Sequence, residues 1–368
     1  MKNTFGTALS VTLFGESHAE AIGAVLDGIA PGIKINDEYI KEKLEQRRPR
    51  GRISTARTEA DDYKIISGVF NGYTTGAPLC ILIPNTSQNS KDYSELKTTP
   101  RPSHADYTAE CKYRGFQDYR GGGHFSGRLT ASLVAVGAVI SSALEGCGIK
   151  IGTHISRLHK ISDRDFLEYE SDIDTLSTSL FPALDPNVKE EMEKEIAAYA
   201  SLGDSVGGVL ETALIGIPAG VGEPWFDSLE GSLSHILFSV PGIKGVEFGA
   251  GFAFADMLGS EANDAFALDG ERVITKTNNN GGINGGISNG MPIIFRCAVK
   301  PTPSIYKPQK TLDLEAKEER ELTIHGRHDP AIIHRARAVV DAVTAIAVAD
   351  LLTVRFGTDF LAGGKTKI

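Results

Sequence analysis

Two runs of small apolar residues constrain this chain more than any other feature. The spacing predicts a helix over residues 127–144, rich in alanine and valine and apolar on most of its sides. A second run, over 331–352, has the same Ala-Val character and predicts the last long helix. A helix apolar nearly all round belongs in an interior, of a protein or of a membrane. The stretch 129–144 is shorter than the ~20 mostly apolar residues a span requires. Thr130, Ser132, Ser141 and Ser142 interrupt it, so a buried helix of a soluble protein is expected.

Composition agrees. The chain has 368 residues, 41% hydrophobic and 23% charged, which suits a folded protein. We expect one domain over 1–368. A formal net charge of -9 argues against a nucleic-acid coat. The first six residues lack the apolar core of a secretory signal. Cys80, Cys111, Cys147 and Cys297 lie far apart with no CxxC pair, so neither a metal site nor a disulfide framework is expected. These features together predict a cytoplasmic protein without membrane contact.

Further helices are expected from Glu38 to about Arg48, with Asp37 as cap, and over about 188–199. Strand-like runs cover 6–14, 78–84, 209–217 and 292–299. The acidic stretch 162–199 reads as a surface excursion. Two segments, beginning at Gly68 and Gly282, both fit G-[VI]-x-x-G-x-[ST]-x-G-x-P and each precedes an apolar strand. Upstream, Gly28-Ile29-Ala30-Pro31-Gly32 is echoed by Gly216-Ile217-Pro218-Ala219-Gly220. The shared order suggests an internal duplication with pseudo-two-fold symmetry; chance likeness of Gly-Pro turns is the alternative.

Six segments can carry chemistry. Gly15-Glu16-Ser17-His18 sets a hydroxyl beside an imidazole after a strand, fit for phosphate binding or proton transfer, or simply for a capped turn. Arg47, Arg48, Arg50, Arg52 and Arg57 fall within eleven positions, a crowding that an anionic ligand would compensate. The alternative is a solvated helix end. Arg101-Pro102-Ser103-His104-Ala105-Asp106-Tyr107 puts His104 near a helix start. Tyr119-Arg120-Gly121-Gly122-Gly123-His124-Phe125-Ser126-Gly127-Arg128 is a glycine-rich turn feeding the apolar helix, an arrangement that offers backbone N–H groups to an anion. It has neither a P-loop lysine nor dinucleotide-fingerprint spacing. Lys300-Pro301-Thr302-Pro303-Ser304 and His325-Gly326-Arg327-His328-Asp329-Pro330 complete the set. Asp329 could cap the last helix with Pro330 at its first position.

Taken together and in this order, these motifs resemble chorismate synthase along nearly the whole chain. The resemblance implies an α+β fold, a β-α-β sandwich with long helices packed between antiparallel sheets, assembled as a homotetramer. It implies anti-1,4-elimination of phosphate from 5-enolpyruvylshikimate 3-phosphate, with reduced FMN required and no net redox change. On this reading His18 protonates the departing phosphate, His104 protonates the reduced flavin, Asp329 helps remove the ring proton and Ser17 supports the substrate. Flavin contacts would come from His124, Phe125, Ser126, Pro241, Gly242, Gly285, Lys300, Pro301, Thr302, Pro303, Ser304 and Arg327. Arg47, Arg52 and Arg57 would bind the substrate's anionic groups. NADPH would act only indirectly, through a separate flavin reductase. Ala19 stands where a glycine often follows the first motif, and His124-Phe125-Ser126-Gly127-Arg128 stands where many relatives have Arg-Ser-Ser-Ala-Arg. An ordinary flavin oxidoreductase and a non-enzymatic binder of phosphorylated metabolites are the competing readings.

Overall fold

The computed structural model describes residues 2–49, 51–54, 60–86, 97–324 and 328–363. Arg57 and Arg327 therefore lie outside the described residues, as does the side chain of Arg52. Two five-stranded sheets dominate. The first runs in the spatial order Thr4–Phe5, Ser10–Gly15, Ala21–Asp27, Leu79–Pro84 and Lys64–Ser67. The second runs Ile243–Phe248, Ile293–Val299, Gly208–Ile215, Lys150–Leu158 and Ile161–Ser162. Every neighbouring pair is antiparallel. Leu79, Ile81 and Ile83 alternate inward along one strand, as do Ile293, Phe295, Cys297 and Val299 along another, so one face of each sheet is apolar.

Those faces meet the two apolar helices. Thr130–Gly146 packs on the first sheet, Ile333–Phe356 packs on the second, and the helices pack against each other. Small residues make the crossing possible: a Cβ on Gly137 would stand 2.4 Å from Ala342 Cβ. This accounts for the Ala-Val composition, since larger residues would force the backbones apart. The helical stretch Gly127–Gly146 is apolar and long enough to cross a membrane by composition, yet 78% of its apolar window is buried within the protein.

Both sheets follow one connection scheme. Two antiparallel strands lead to a glycine turn, a helix (Asp37–Arg47 or Leu229–Leu237), an edge strand, a short hairpin, a central strand and a long helix. The hairpins bind their turns alike. Thr74 Oγ1 accepts from the Ile33 N–H at 2.9 Å and donates to the Ala30 carbonyl at 2.6 Å. Ser288 Oγ accepts from the Val221 N–H at 2.9 Å and donates to the Pro218 carbonyl at 2.7 Å.

Several expectations need correction at their edges. Asn36, not Asp37, caps the first helix, accepting from the Tyr39 N–H. The glycine turn does not run straight into the apolar helix, because Ser126 is extended and a 3-10 turn over Gly127–Leu129 intervenes. The last helix starts at Ile333, so Asp329 does not cap it and Pro330 is not its first residue. The excursion forms two helices, Tyr169–Thr178 and Pro186–Ser201.

Candidate active site

The site is assembled at the end of the first sheet where the Ser10–Gly15 strand stops. Gly15 adopts φ 98°, and a Cβ there would lie 2.5 Å from the Ala21 carbonyl oxygen, so only glycine makes this turn. The turn buries Ser17 and His18, which are 0% and 5% exposed. Asn85 holds it, donating to the carbonyls of Glu16 and Ala19 at 3.0 and 2.8 Å, while Arg128 Nε donates to the Asn85 amide oxygen at 3.1 Å.

The glycine turn Arg120–Phe125 lies directly on this corner. Gly121, Gly122 and Gly123 all have positive φ. A Cβ on Gly121 would stand 2.4 Å from His18 Cε1 and 2.7 Å from Ser17 Oγ; one on Gly122 would stand 3.3 Å from His104 Cε1. The run of glycines therefore lets a single backbone touch both histidines. Two hydrogen bonds fix it: Ser17 N–H to the Gly123 carbonyl at 3.1 Å, and His124 Nδ1 to the Gly15 carbonyl at 2.8 Å. The nearby Asp118 carboxyl is lowered mainly by hydrogen bonding from Arg120, with a contribution from His18.

His104 is held by its own motif. Asp106 Oδ1 lies 2.7 Å from His104 Nδ1, and Arg101 chelates the same carboxylate through Nε at 2.8 Å and Nη2 at 2.7 Å. Burial opposes ionisation of Asp106, but the hydrogen bonds from Arg101 and His104 outweigh it and hold the carboxyl far below the usual range. An ionised Asp106 can only accept, so His104 turns Nδ1–H to it and Nε2 away from it, with Arg101 Nη2 3.0 Å from the same Nδ1.

The second sheet reaches the same place. Lys300 follows the Ile293–Val299 strand, donates its backbone N–H to the Gly242 carbonyl at 2.9 Å, and extends Nζ to the Ser103 carbonyl at 2.5 Å. Burial, then the charge of Lys244, pushes the Lys300 amine down. Ser205 Oγ donates to the Thr302 carbonyl at 2.7 Å, and the Val206 N–H donates to the Pro330 carbonyl at 2.9 Å, which joins the 300s and 330s segments. His328 is pushed down to about 4 by burial, then by Arg101, against the opposing effect of Asp329. Ser17 Oγ, Thr302 Oγ1 and His328 Nε2 are buried without hydrogen-bond partners among the described residues. A polar ligand would supply what they lack.

Other expected residues have different settings. Arg47 is 5% exposed, and its guanidinium donates to Asp61 at 3.2 Å, Thr130 Oγ1 at 3.0 Å and the Gly127 and Arg128 carbonyls. Arg128 engages the same Asp61. Burial raises Asp61, but the two guanidiniums outweigh it and lower its carboxyl. Arg47, expected to bind substrate, is thus also tied to the frame of the loop. Asp329 pairs with Arg335, whose Nε donates to the Arg47 carbonyl at 2.8 Å. Ser126 accepts from the Arg128 N–H, Ser304 is buried, Pro301 is exposed and Pro303 half-buried, and Pro241 precedes Gly242 beside Lys300. Phe125 packs edge-on to Tyr113 and lines a cavity of about 380 Å³ with His124, Glu16, Asp106 and Gly122. Gly285 is not brought here. It lies in the hairpin at the opposite end of the Ile293–Val299 strand from Lys300, a distance of ~20 Å for seven residues.

Arg101, Asp106, Asn85 and Asp61 are additions to the sequence-derived set. His-x-Asp spacing was the available signal for Asp106; nothing in the sequence connects Asp61 to Arg47 and Arg128.

Comparison with known proteins gives one consistent result. The family model described as chorismate synthase matches residues 9–353. The chorismate synthase of Thermococcus gammatolerans is 47% identical over 95% of this chain and 97% of its own length. That of Pyrococcus abyssi is 46% identical over 95% and 97%, and that of Methanocaldococcus jannaschii 45% identical over 96% of each. A solved structure titled "Crystal Structure of Chorismate Synthase" superposes with a TM-score of 0.76 at 29% identity, over 97% of this chain and 95% of that one.

Proposed function

This chain belongs to the chorismate synthase family, and from that premise we propose how its residues perform the reaction. The protein is a carbon–oxygen lyase that converts 5-enolpyruvylshikimate 3-phosphate to chorismate and phosphate by anti-1,4-elimination, in the shikimate pathway. The observation that supports the residue roles is the contact of Gly121 and Gly122 with His18 and His104.

His18, enclosed beside Ser17, delivers the proton that leaves with phosphate. Ser17 Oγ, buried without a partner among the described residues, is available to a substrate oxygen. Asp329, held by Arg335, takes part in removing the ring proton. Arg52 and Arg57 receive the substrate's anionic groups, and Arg47 holds the loop in place through Asp61.

The residues present fit reduced FMN: Thr302 Oγ1 and His328 Nε2 are buried and unpartnered among the described residues, and Lys300 offers a cation. When bound, this cofactor would supply transient electron density for cleavage of the C–O bond, with no net redox change. His124, Phe125, Ser126, Pro241, Gly242, Lys300, Pro301, Thr302, Pro303, Ser304 and Arg327 hold it, and His104 presents Nε2 to it. Reduced flavin comes from a separate NADPH-dependent reductase in the cytoplasm.

The working form is a homotetramer. Trp225, Phe226 and Phe252 are 86%, 94% and 85% exposed, which favours burial against other copies. Gly285 contacts flavin from a second copy, because its own chain holds it away from Lys300. We read the chain as one domain, a β-α-β sandwich whose two sheets descend from an internal duplication, on the strength of the matching hairpin bonds.

The test is anaerobic: protein, chemically reduced FMN and 5-enolpyruvylshikimate 3-phosphate, with chorismate followed by absorbance. Product only with reduced flavin is expected. Turnover of NADPH without the substrate would favour an oxidoreductase instead.

A further inference from the structure

The first turn of the last helix holds two points of the arginine-bearing segment at once. Arg335 Nε donates to the Arg47 carbonyl at 2.8 Å, and its neighbour His334 places Nε2 2.8 Å from Ser54 Oγ. Arg335 also pairs with Asp329. His334 is 5% exposed and stacks on the Phe181 ring, with centroids 5.9 Å apart and planes 13° apart. Burial, then the charge of Arg335, pushes its imidazole down to about 4, so the ring is neutral at physiological pH.

The ring's Nδ1 is buried with no hydrogen-bond partner among the described residues. Among the described residues no carboxylate bonds Nδ1, so Ser54 and His334 lack the third group of a nucleophile and its base. A leucine of similar size would fill the same space without leaving a buried nitrogen unbonded. What the imidazole adds is the bond to Ser54.

We propose that His334 is a positioning residue: through Ser54 it sets where the backbone carrying Arg52 lies relative to Asp329. This inference rests on the proposed substrate role of Arg52. The helix then fixes the proton-removing carboxylate through residue 335 and the anion-binding segment through residues 334 and 335, so the two ends of the substrate are registered by adjacent side chains.

The test combines hydrogen exchange with steady-state kinetics on Ser54→Ala, His334→Leu, the double variant and His334→Gln. Amides of residues 51–54 should exchange faster in Ser54→Ala and His334→Leu. Their KM for 5-enolpyruvylshikimate 3-phosphate should rise about tenfold with kcat within about twofold, the pattern of lost uniform binding. The double variant should be no worse than either single one, as expected for two halves of one contact. His334→Gln, whose amide reaches the Nε2 position, should recover both readouts. Unchanged exchange in Ser54→Ala would overturn the anchor, and faster exchange with unchanged KM would overturn its link to substrate. Wild-type protein that makes no chorismate would sink the functional reading instead, with the exchange data still deciding the anchor.

Discussion

At His104 the controlling neighbour is Asp106, two residues along the chain and 2.7 Å away. Arg101 bonds both oxygens of that carboxylate, so the aspartate stays ionised and orients the imidazole. Asp106→Asn should therefore leave the fold intact but free the ring to rotate or exchange tautomers. Misplacing a catalytic group in this way costs on the order of 100-fold. We expect kcat to fall by that factor while flavin affinity, measured by titration of the absorbance spectrum, stays within about twofold; an unchanged kcat would remove Asp106 from the positioning role. Arg47 is held differently: its buried guanidinium donates to Asp61, Thr130 and two carbonyls, which compensates its charge within the fold.

Among the elements, the outer face of the second sheet carries a row of charges that the apolar patterning conceals. His154, Glu211, Arg296 and Glu247 are registered neighbours on four adjacent strands. Arg296 bonds Glu247 at 2.7 Å and approaches Glu211 at 3.6 Å. His154 lies 3.2 Å from both Glu211 and Asp163, with the Phe166 ring edge-on at 4.8 Å. Asp163 also accepts from the N–H groups of Leu184 and Asp185, which ties the helical excursion to the sheet. Burial disfavours the charged ring, but its hydrogen bonds to Asp163 and Glu211 outweigh that and raise His154 above its ordinary value. A raised histidine stabilises most below its unfolded value of about 6.5 and loses that stabilisation as pH climbs through the folded value. Denaturant unfolding should show the advantage of wild type over His154→Gln shrinking as pH rises above about 6.5. An advantage constant to high pH would mean that the ring is not charged in the fold.

For the whole molecule, the distance between Gly285 and Lys300 within one chain decides the form of the test. A glycine with φ 62° and open space around it has no reason in its own chain to resist a large side chain beyond backbone strain. In the proposed tetramer it faces a neighbour's flavin. Gly285→Trp and His104→Ala should each be inactive alone, and co-refolded mixtures should regain a fraction of wild-type rate, because some sites then draw both intact residues from different copies. No recovery in mixed tetramers confirmed by mass would place Gly285 outside the site.

Sequence alone determined the motif order, the two buried helices and the strands whose apolar residues alternate, because periodicity and glycine-proline chemistry are local properties. His18, His104 and the glycine turn were legible for the same reason: each sits in a turn whose residues announce it. Strands Lys150–Leu158 and Ile243–Phe248 were missed, since their outer faces carry the charged row and their alternation is broken by glycine. The tertiary structure decided which charges meet. Asp61 and Arg128 are 67 residues apart, and Ser54 and His334 are 280 apart; no local pattern records such pairings, because they are set by how the two sheets close on the helices between them.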